Sequence, residues 1–381
     1  MTWESLLNRP SFDIRRSGRF VVAALAEPHL VLSTSAKNGG LIDRVRWLVN
    51  HQSCEGAAHL DRHKTITDAG MEGYHDLVCA EIGLPADQTA VLGTAANMNY
   101  VAIVTEADGD VEVTAAVTAG VEGNATTAGE PATWRETAEG MHKVPAYAGT
   151  INTILLVNRP LTVAALARAV MTMTEGKSAA LQRLAVPSKL HVDLATGTGT
   201  DQYCIAAPAA GRLTLTSTSP HVKLGEQIGL AARKATMEAL RWQNGLEVSY
   251  TRGVFHALGR FGVREATVFD DIAPFMTPDA LELLKKNSKA AFYEPSVGAS
   301  AHALAAVCDR IRHGTLPASV GPDAMTQLAA SIAANLAAQV HRWPEFRAVL
   351  RPHATEDVKA LVLRAIALGW TEKWKPGESA R

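Results

Sequence analysis

Apolar positions recur with two different periods along the chain, and this divides it into an α/β part and a helical part. Up to about residue 250, short apolar runs alternate with longer segments whose apolar positions recur every three or four residues, the patterns of strands and of helices. The short runs predict strands within 21–36, 101–121, 149–160 and 201–210. The longer segments predict helices over 67–83, 162–184 and 222–244.

After residue 265 the helical period continues to the end of the chain. Helices are predicted over 276–292, 298–314, 321–343 and 355–370. Residues that favour helix starts lie near the beginning of each segment: Thr277, Ser300, the Pro322-Asp323 pair and Thr355. The sequence therefore predicts an α/β domain of layered strands and helices over 1–255 and an all-helical region over 265–381.

The charge balance argues against several classes of partner. Lys and Arg number 37 against 38 Asp and Glu, a formal net charge of −1, so neither a basic nucleic-acid surface nor a polybasic membrane anchor is expected. No apolar run reaches the roughly 18–20 residues of a membrane span. A secretory signal pattern is missing, and the four cysteines show no C-x-x-C spacing. These features predict a cytoplasmic protein with reduced thiols.

The segment ATGTGTDQ at 195–202 is the most unusual local sequence. Gly197 and Gly199 would let backbone N–H groups approach a ligand oxygen, and Thr198 and Thr200 would add hydroxyl donors, with Asp201 directly after them. The segment matches neither a P-loop nor a dinucleotide-binding G-x-G-x-x-G, and no cofactor is predicted. An ordinary loop that leads into a strand is the alternative interpretation.

Two further segments could carry catalytic groups. Thr150 lies between a small polar turn and a buried strand, where a rigidly held hydroxyl could act as a nucleophile if a base lies beside it. Asn124 lies in the glycine-containing segment 118–129, whose amide donors could stabilise an oxyanion. The alternatives are that Thr150 merely starts a strand and that 118–129 is a flexible surface loop.

A histidine-containing segment, VNHQ at 49–52, offers polar contacts to a ligand. His51 is the better candidate there, with Asn50 beside it. His59 and His63 follow at a spacing of four residues, but no H-E-x-x-H motif is present and nothing supplies the remaining ligands at a standard spacing. No metal site is predicted.

Charged residues on two predicted helices are weaker candidates. Glu175 and Lys177 are two residues apart and cannot face the same way on a helix, so one of them could turn toward a site. Lys223 opens the next helix and could meet an anion. Solvated side chains are the alternative interpretation.

Three motifs stand in a specific order: GTIN at 149–152, TEGKSAAL at 174–181 and ATGTGTD at 195–201. Together with VNHQ and shorter segments between about 15 and 250, they resemble the adenosylcobinamide amidohydrolase family. The resemblance implies hydrolysis of the aminopropanol amide of adenosylcobinamide to adenosylcobyric acid, a step of cobalamin salvage. Gln202 and Gly176 depart from the family pattern, and the helical region is an addition to it.

The strand at 149–157 and the helix after it are also similar to the nucleophile strand of the self-processing aminopeptidase and ornithine acetyltransferase superfamily, which implies a related fold. There, chain cleavage before a Ser or Thr frees an amine that serves as the base. Transferred to this chain, the scissile bond is Gly149–Thr150, and Thr150, or a water in its place, attacks the amide. Asn152 would then orient groups.

The remaining site residues have these expected roles under the two resemblances. Asn124 stabilises the oxyanion, Asp201 orients groups, Thr198 and Thr200 line the pocket, and His51 and Glu175 act as acid, base or ligand contacts.

Two other functions fit the same residues. The chain could hydrolyse another large amide ligand, such as an iron siderophore, or it could be a non-catalytic corrinoid-binding protein that keeps the pocket. In each case the expected partner is a small molecule rather than nucleic acid or membrane. Apolar helix faces in the C-terminal region could also support a homo-oligomer.

Overall fold

The chain divides into two compact units. The computed structural model describes residues 1–53, 59–132, 134–137, 140–143 and 149–375. The first unit comprises Met1–Leu190 and Leu194–Glu247, and the second comprises His191–Asp193 and Val248–Arg381.

The first unit combines strands with long helices. Its strands are β1 (Glu4–Arg9), β2 (Phe12–Ser17), β3 (Phe20–Leu25), β4 (His29–Ser33), β5 (Gly40–Ile42), β6 (Trp47–Gln52), β7 (Thr89–Thr94), β8 (Ala102–Asp108), β9 (Val111–Gly120), β10 (Ala125–Thr126), β11 (Trp134–Thr137), β12 (Gly140–Lys143), β13 (Thr150–Val157), β14 (Gly197–Thr198) and β15 (Gln202–Pro208). Its helices are α1 (His59–Ile82), α2 (Val163–Arg183) and α3 (Lys223–Asn244).

Two sheets carry the first unit. Sheet A has the strand order β1-β2-β3-β6-β7, and sheet B has the order β5-β4-β15-β13-β9-β8. The pairs β6–β7 and β13–β15 are parallel, and the other pairs within the two sheets are antiparallel. The predicted strands are confirmed as β3 with β4, the hairpin β8–β9, β13 and β15. Two strands that had not been predicted, β1 and β2, form one edge of sheet A.

The two sheets pack face to face, and helices cover their outer faces. Ile14 and Leu92 of sheet A share a buried cluster with Ile154 of β13. On the other face of sheet A, Phe20 packs with Val78 of α1. Helix α3 packs on β8 and β9 and against α2. The order of layers is therefore helix, sheet, sheet, helix, and the α/β class is confirmed.

The helix predictions of the first unit are confirmed, with one extension. Helices α2 and α3 match the predicted ranges closely, and the Thr162 hydroxyl caps α2 by accepting from the Ala165 amide. Helix α1 begins before the predicted start and is kinked at Gly70, whose φ of 68° lies in the left-handed region that favours glycine. The segment 71–82 after this kink borders the site described below.

The second unit is helical, as predicted. Its helices are α4 (Val248–Thr251), α5 (Val254–Leu258), α6 (Val268–Ile272), α7 (Pro278–Lys286), α8 (Ser288–Phe292), α9 (Pro295–Arg312), α10 (Gly321–Ala337), α11 (Trp343–Leu350) and α12 (Val358–Lys373). They enclose one apolar cluster that includes Phe292, Ile332 and Trp370. In the ranges given above, no helix is long and apolar enough to cross a membrane.

Two of the predicted helix starts in this unit are confirmed. The Thr277 hydroxyl accepts from the Ala280 amide and caps α7. Helix α10 begins at Gly321, with Pro322 and Asp323 in its first turn, and has no side-chain cap.

The caps of α9 and α12 differ from the expected residues. The side chains of Glu294 and Asp357 cap these helices, in place of Ser300 and Thr355. Local propensity does not choose among the polar residues near a helix start.

Candidate active site

A pocket of about 340 Å³ opens where strand ends of the two sheets meet α1. Strands β6 and β7 end beside it, and β13 and β15 begin beside it. Its lining includes a strand wall, formed by Asn124, Gly149, Thr150 and Thr200. The lining also includes a more apolar helix wall, formed by Ile66, Met71, Tyr74 and His75 of α1.

Thr150 is the first residue of β13, and its side chain lines the pocket. Its Oγ1 lies 2.6 Å from Thr200 Oγ1 and donates to the Gly149 carbonyl oxygen at 2.7 Å. Thr200 Oγ1 donates to the same carbonyl oxygen at 2.6 Å. Two hydroxyls therefore converge on the carbonyl of the Gly149–Thr150 peptide bond. Within the described residues, no charged side chain hydrogen-bonds the Thr150 hydroxyl.

The Asp201 carboxylate anchors this end of β13. Its Oδ1 accepts from the Ile151 amide at 3.1 Å and from the Thr198 hydroxyl, and its Oδ2 pairs with Lys177. The side chains of Lys177 and Asp201 are only 15% and 18% exposed. Charge-assisted hydrogen bonds of this kind are strong and directional. Asp201 thus holds the backbone next to Thr150.

Asn124 covers Gly149 from the pocket side. A Cβ at residue 149 would collide with Asn124 Oδ1 and would lie 3.0 Å from the Gly120 carbonyl oxygen. Asn124 Nδ2 lies 3.4 Å from Thr200 Oγ1. The side-chain amide therefore lies next to the Thr200 hydroxyl in the pocket that Thr150 also lines, and its N–H is a candidate donor to an oxyanion there.

Asn50 and Asn152 form a buried pair between the two sheets. Asn152 Nδ2 donates to Asn50 Oδ1 at 2.9 Å and to the Gly93 carbonyl oxygen at 3.1 Å, while Asn50 Nδ2 donates to Thr118 Oγ1 at 2.8 Å. Neither asparagine is among the residues that line the pocket. Asn50 was expected to contact a ligand, but the structure places it, with Asn152, as a link between β6, β7, β9 and β13.

His51 lies on the opposite face of β6 from Asn50, because side chains alternate along a strand. Its ring stacks on Phe20 with a centroid distance of 4.7 Å and lies 5.9 Å from the Tyr74 ring. His51 also lines the pocket. Sequence reasoning placed both residues at a ligand, and strand alternation separates them.

Helix α2 brings Lys177 rather than Glu175 to this region. Residues two apart point to different sides of a helix, so Lys177 reaches Asp201 while the exposed Glu175 lines a separate cavity. The structure therefore places Glu175 outside the lining of this pocket. Between them, a Cβ at Gly176 would lie 2.6 Å from the Gly229 carbonyl oxygen, so α2 and α3 approach closely there.

The glycines of the 195–202 segment act differently from the expectation. A Cβ at Gly197 would lie 2.5 Å from Asp201 Oδ2 and 2.7 Å from Lys177 Nζ, whereas nothing lies near Gly199. The Thr198 amide donates to Asp201. The close approach at Gly197 thus serves the Asp201–Lys177 pair. Of the 195–202 segment, Thr200 and Gln202 line the pocket, and Thr198 does not.

Lys223 lies outside the candidate site. It lines another cavity with Asp108 and Gln227, and its ammonium pairs with Glu226 at 2.9 Å. The predicted helix start at Lys223 is confirmed, but the expected ligand contact is not found at this pocket.

Sequence reasoning missed the helix wall and the role of Gln202. Gln202 Oε1 accepts from the Gly93 amide at 2.9 Å and ties the start of β15 to the end of β7. Met71, Tyr74 and His75 share one helix face at spacings of three and four residues, a signal that was present in the sequence. That signal predicts packing, and it carries no chemistry by itself.

Two buried cysteines do not provide a thiolate. Burial raises the pKa of the Cys204 thiol to about 12 and that of Cys79 to about 11. Both thiols are therefore protonated at neutral pH, and a protonated thiol is a poor nucleophile.

The described residues contain no group of three or more His, Cys, Asp or Glu side chains that could hold a metal ion. Cys54 and Glu55, and the side chains of His59 and His63, lie outside what the structure describes.

Comparisons with known proteins cover much of the first unit. The model of the adenosylcobinamide amidohydrolase family, CbiZ, matches residues 6–248. The uncharacterized protein MJ1613 of Methanocaldococcus jannaschii is 35% identical over 184 residues, which is 46% of this chain and 71% of that protein. A crystal structure of the PH0078 protein from Pyrococcus horikoshii is similar at a TM-score of 0.30 and 12% identity, over 62% of this chain and 82% of that one.

Proposed function

The chain belongs to the adenosylcobinamide amidohydrolase family, and we propose that it hydrolyses the secondary amide that joins aminopropanol to adenosylcobinamide. The products are adenosylcobyric acid and aminopropanol. The single observation that supports the proposal is the Thr150 hydroxyl, which lies in a pocket 2.6 Å from the Thr200 hydroxyl and shares that pocket with Asn124.

Thr150 is the proposed nucleophile. Its oxygen attacks the substrate carbonyl carbon, and the Asn124 N–H stabilises the resulting oxyanion. The carbon–nitrogen bond then breaks, the amine takes the hydroxyl proton and leaves, and the acyl group remains as an ester on Thr150. Water hydrolyses this ester and restores the hydroxyl. The Asp201 contacts to Ile151 and Thr198 keep the strand end in place during these steps.

The base for this attack is proposed to come from the chain itself. The Thr150 and Thr200 hydroxyls both donate to the Gly149 carbonyl oxygen, which polarises that carbonyl. Attack of Thr150 Oγ1 on the Gly149 carbonyl carbon breaks the peptide bond and forms an ester. Water then releases a Gly149 carboxylate and leaves Thr150 with a free α-amine, the base that a terminal threonine uses.

Mass spectrometry of the purified protein incubated with adenosylcobinamide tests the proposal. We expect adenosylcobyric acid and aminopropanol to appear in equal amounts. The intact mass of the same sample reports on processing, since cleavage between Gly149 and Thr150 yields two chains whose masses sum to that of the precursor plus one water.

The possible outcomes distinguish an error in the proposed substrate from an error in the proposed reaction. Tight binding of adenosylcobinamide without product would contradict the hydrolase assignment and identify a corrinoid-binding protein. Unchanged and unbound adenosylcobinamide, with hydrolysis of iron-siderophore amides, would contradict the substrate alone. A single intact chain that remains active would contradict processing and leave the base to water or Thr200.

A further inference from the structure

His75 is a buried side chain of the pocket for which the proposed chemistry has no use. It is 3% exposed and lies on α1 in the segment after the Gly70 kink. Met71, one turn earlier, is 60% exposed, whereas Tyr74 is 8% exposed. Exposure thus falls along the helix wall, and His75 lies at its deeper end.

The hydrogen bond of His75 Nε2 defines which ring nitrogen lacks a partner. Nε2 lies 3.2 Å from the Ala86 carbonyl oxygen, and a carbonyl only accepts, so this geometry assigns the hydrogen to Nε2. Burial lowers the pKa of His75, which favours the neutral ring. Nδ1 then carries a lone pair, and in the described residues it is buried with no hydrogen-bond partner. A buried acceptor without a donor is unusual in folded proteins.

The size of the pocket limits what can supply that donor. The volume of about 340 Å³ suits one inserted side chain of a corrinoid better than the whole macrocycle. The Thr150 end of the pocket receives the scissile amide. What extends past the amide is a short amine fragment. The same pocket is also lined by Ile66 and Val91, which are apolar, and by His75.

We propose that His75 is a specificity-determining residue: its Nδ1 accepts a hydrogen bond from the hydroxyl of the short amino alcohol that hydrolysis releases. The inference rests on the proposed function and adds the recognition of the leaving group. The hydroxyl supplies the donor that Nδ1 lacks, and the methyl group of aminopropanol packs on the apolar lining. An amine without a hydroxyl would leave Nδ1 unpaired.

The experiment compares two substrates and three proteins. The substrates are adenosylcobinamide and its propylamide analogue, which differs by the missing hydroxyl. The proteins are wild type, His75→Phe, which keeps a ring without an acceptor, and His75→Asn, whose Oδ1 can replace Nδ1. The wild-type kcat/KM should favour the hydroxylated substrate by about 10-fold or more, the worth of one such hydrogen bond.

His75→Phe should reduce this preference to nearly 1, and His75→Asn should restore part of it. His221→Phe is the matched control, because His221 is an exposed histidine of the same unit away from the pocket. It should keep the wild-type preference. Thermal unfolding of each variant shows whether it is folded. If His75→Phe is unfolded, the substrate preference of His75→Asn still tests the inference.

A binding measurement separates failure of this inference from failure of the proposed function. The ¹⁵N chemical shift of His75 Nδ1 should move on titration with 1-amino-2-propanol and stay unchanged with propylamine. Equal cleavage of both amides by wild type, or full preference in His75→Phe, would overturn the inference while hydrolysis stands. If wild type cleaves neither amide, the proposed function fails. If the Nδ1 chemical shift also stays unchanged on titration, as expected when only water contacts Nδ1, the inference is overturned as well.

Discussion

The strand wall and the helix wall of the pocket are built by different forces. The strand wall is held by directional hydrogen bonds, among them those of Asp201 to Ile151 and Thr198. The helix wall depends mainly on packing, since Tyr74 belongs to the apolar cluster between α1 and sheet A. Hydrogen bonds fix atoms to within tenths of an ångström, as a reacting group requires, whereas packing defines a shape. Under the proposed function, the strand wall therefore cleaves the bond and the helix wall selects the ligand.

Substitution of the proposed nucleophile should reduce the activity of the strand wall most. Thr150→Ala should lower kcat by about 10,000-fold or more, as loss of a nucleophile does in other hydrolases, while the affinity for aminopropanol stays near wild type. Steady-state kinetics and a binding titration measure both effects. Thr150→Ser should retain activity, and Thr105→Ala, on β8 away from the pocket, should change neither value. Retained turnover in Thr150→Ala would exclude the assigned nucleophile.

Asn124→Ala should give the next largest effect. Loss of one oxyanion donor typically lowers kcat by about 100- to 1,000-fold, with a smaller change in KM. Pre-steady-state and steady-state rates on adenosylcobinamide measure the loss. A change confined to KM would mean that Asn124 binds the ground state and would move it out of the catalytic role.

Removing Asp201 should weaken both the strand wall and the fold. Asp201→Ala leaves the largely buried Lys177 ammonium without its carboxylate, and loss of one partner of a buried ion pair costs about 3 kcal/mol. The free energy of unfolding in urea measures this cost. The double variant Lys177→Met with Asp201→Ala should recover part of the stability but not the activity. Recovery of both would show that the pair has no role in positioning Thr150.

Two glycine substitutions, one on α2 and one on α1, should change the stability of the first unit in opposite directions or by different amounts. Gly176→Ala places a methyl group 2.6 Å from the Gly229 carbonyl oxygen and should destabilise the fold by about 1–3 kcal/mol through overpacking. Gly73→Ala on α1 meets Ala69 only at an ordinary 3.4 Å and should leave stability equal or raise it by about 0.5–1 kcal/mol. An equal decrease in the free energy of unfolding in urea for the two variants would contradict the close approach of α2 and α3.

The smallest expected effect is on the pH dependence of stability. Burial lowers the pKa of His75 in the folded state below the ordinary value of 6.5, so below about pH 6.5 the unfolded chain binds more protons. The contribution of the neutral His75 ring to the free energy of unfolding should therefore be complete above that pH and decrease as the pH falls. His75→Asn should flatten this fall, leaving the parts due to His29 and His302, whose pKa values burial also lowers. An unchanged slope would argue against a buried neutral His75.

Local sequence was sufficient where chemistry and structure lie within one short segment. Thr150 stands at the junction of a turn and a continuous apolar strand, and Thr200 and Asp201 follow a glycine-rich segment, so each could be identified from its neighbours. For Glu175 and Lys177, the sequence shows that two such residues on a helix point to different sides, but not which side faces the site.

The sequence alone determined the periods of the elements, hence the α/β part and the helical part, and the motifs that belong to the family. Tertiary structure decided which atoms meet. Alternation along β6 sends His51 to the pocket and Asn50 between the sheets, and the kinked α1 brings His75 to a strand end that lies 75 residues later in the chain. Periodicity reports which side of an element is buried, whereas the partner across the pocket depends on how the sheets and helices pack, and no local pattern encodes that choice.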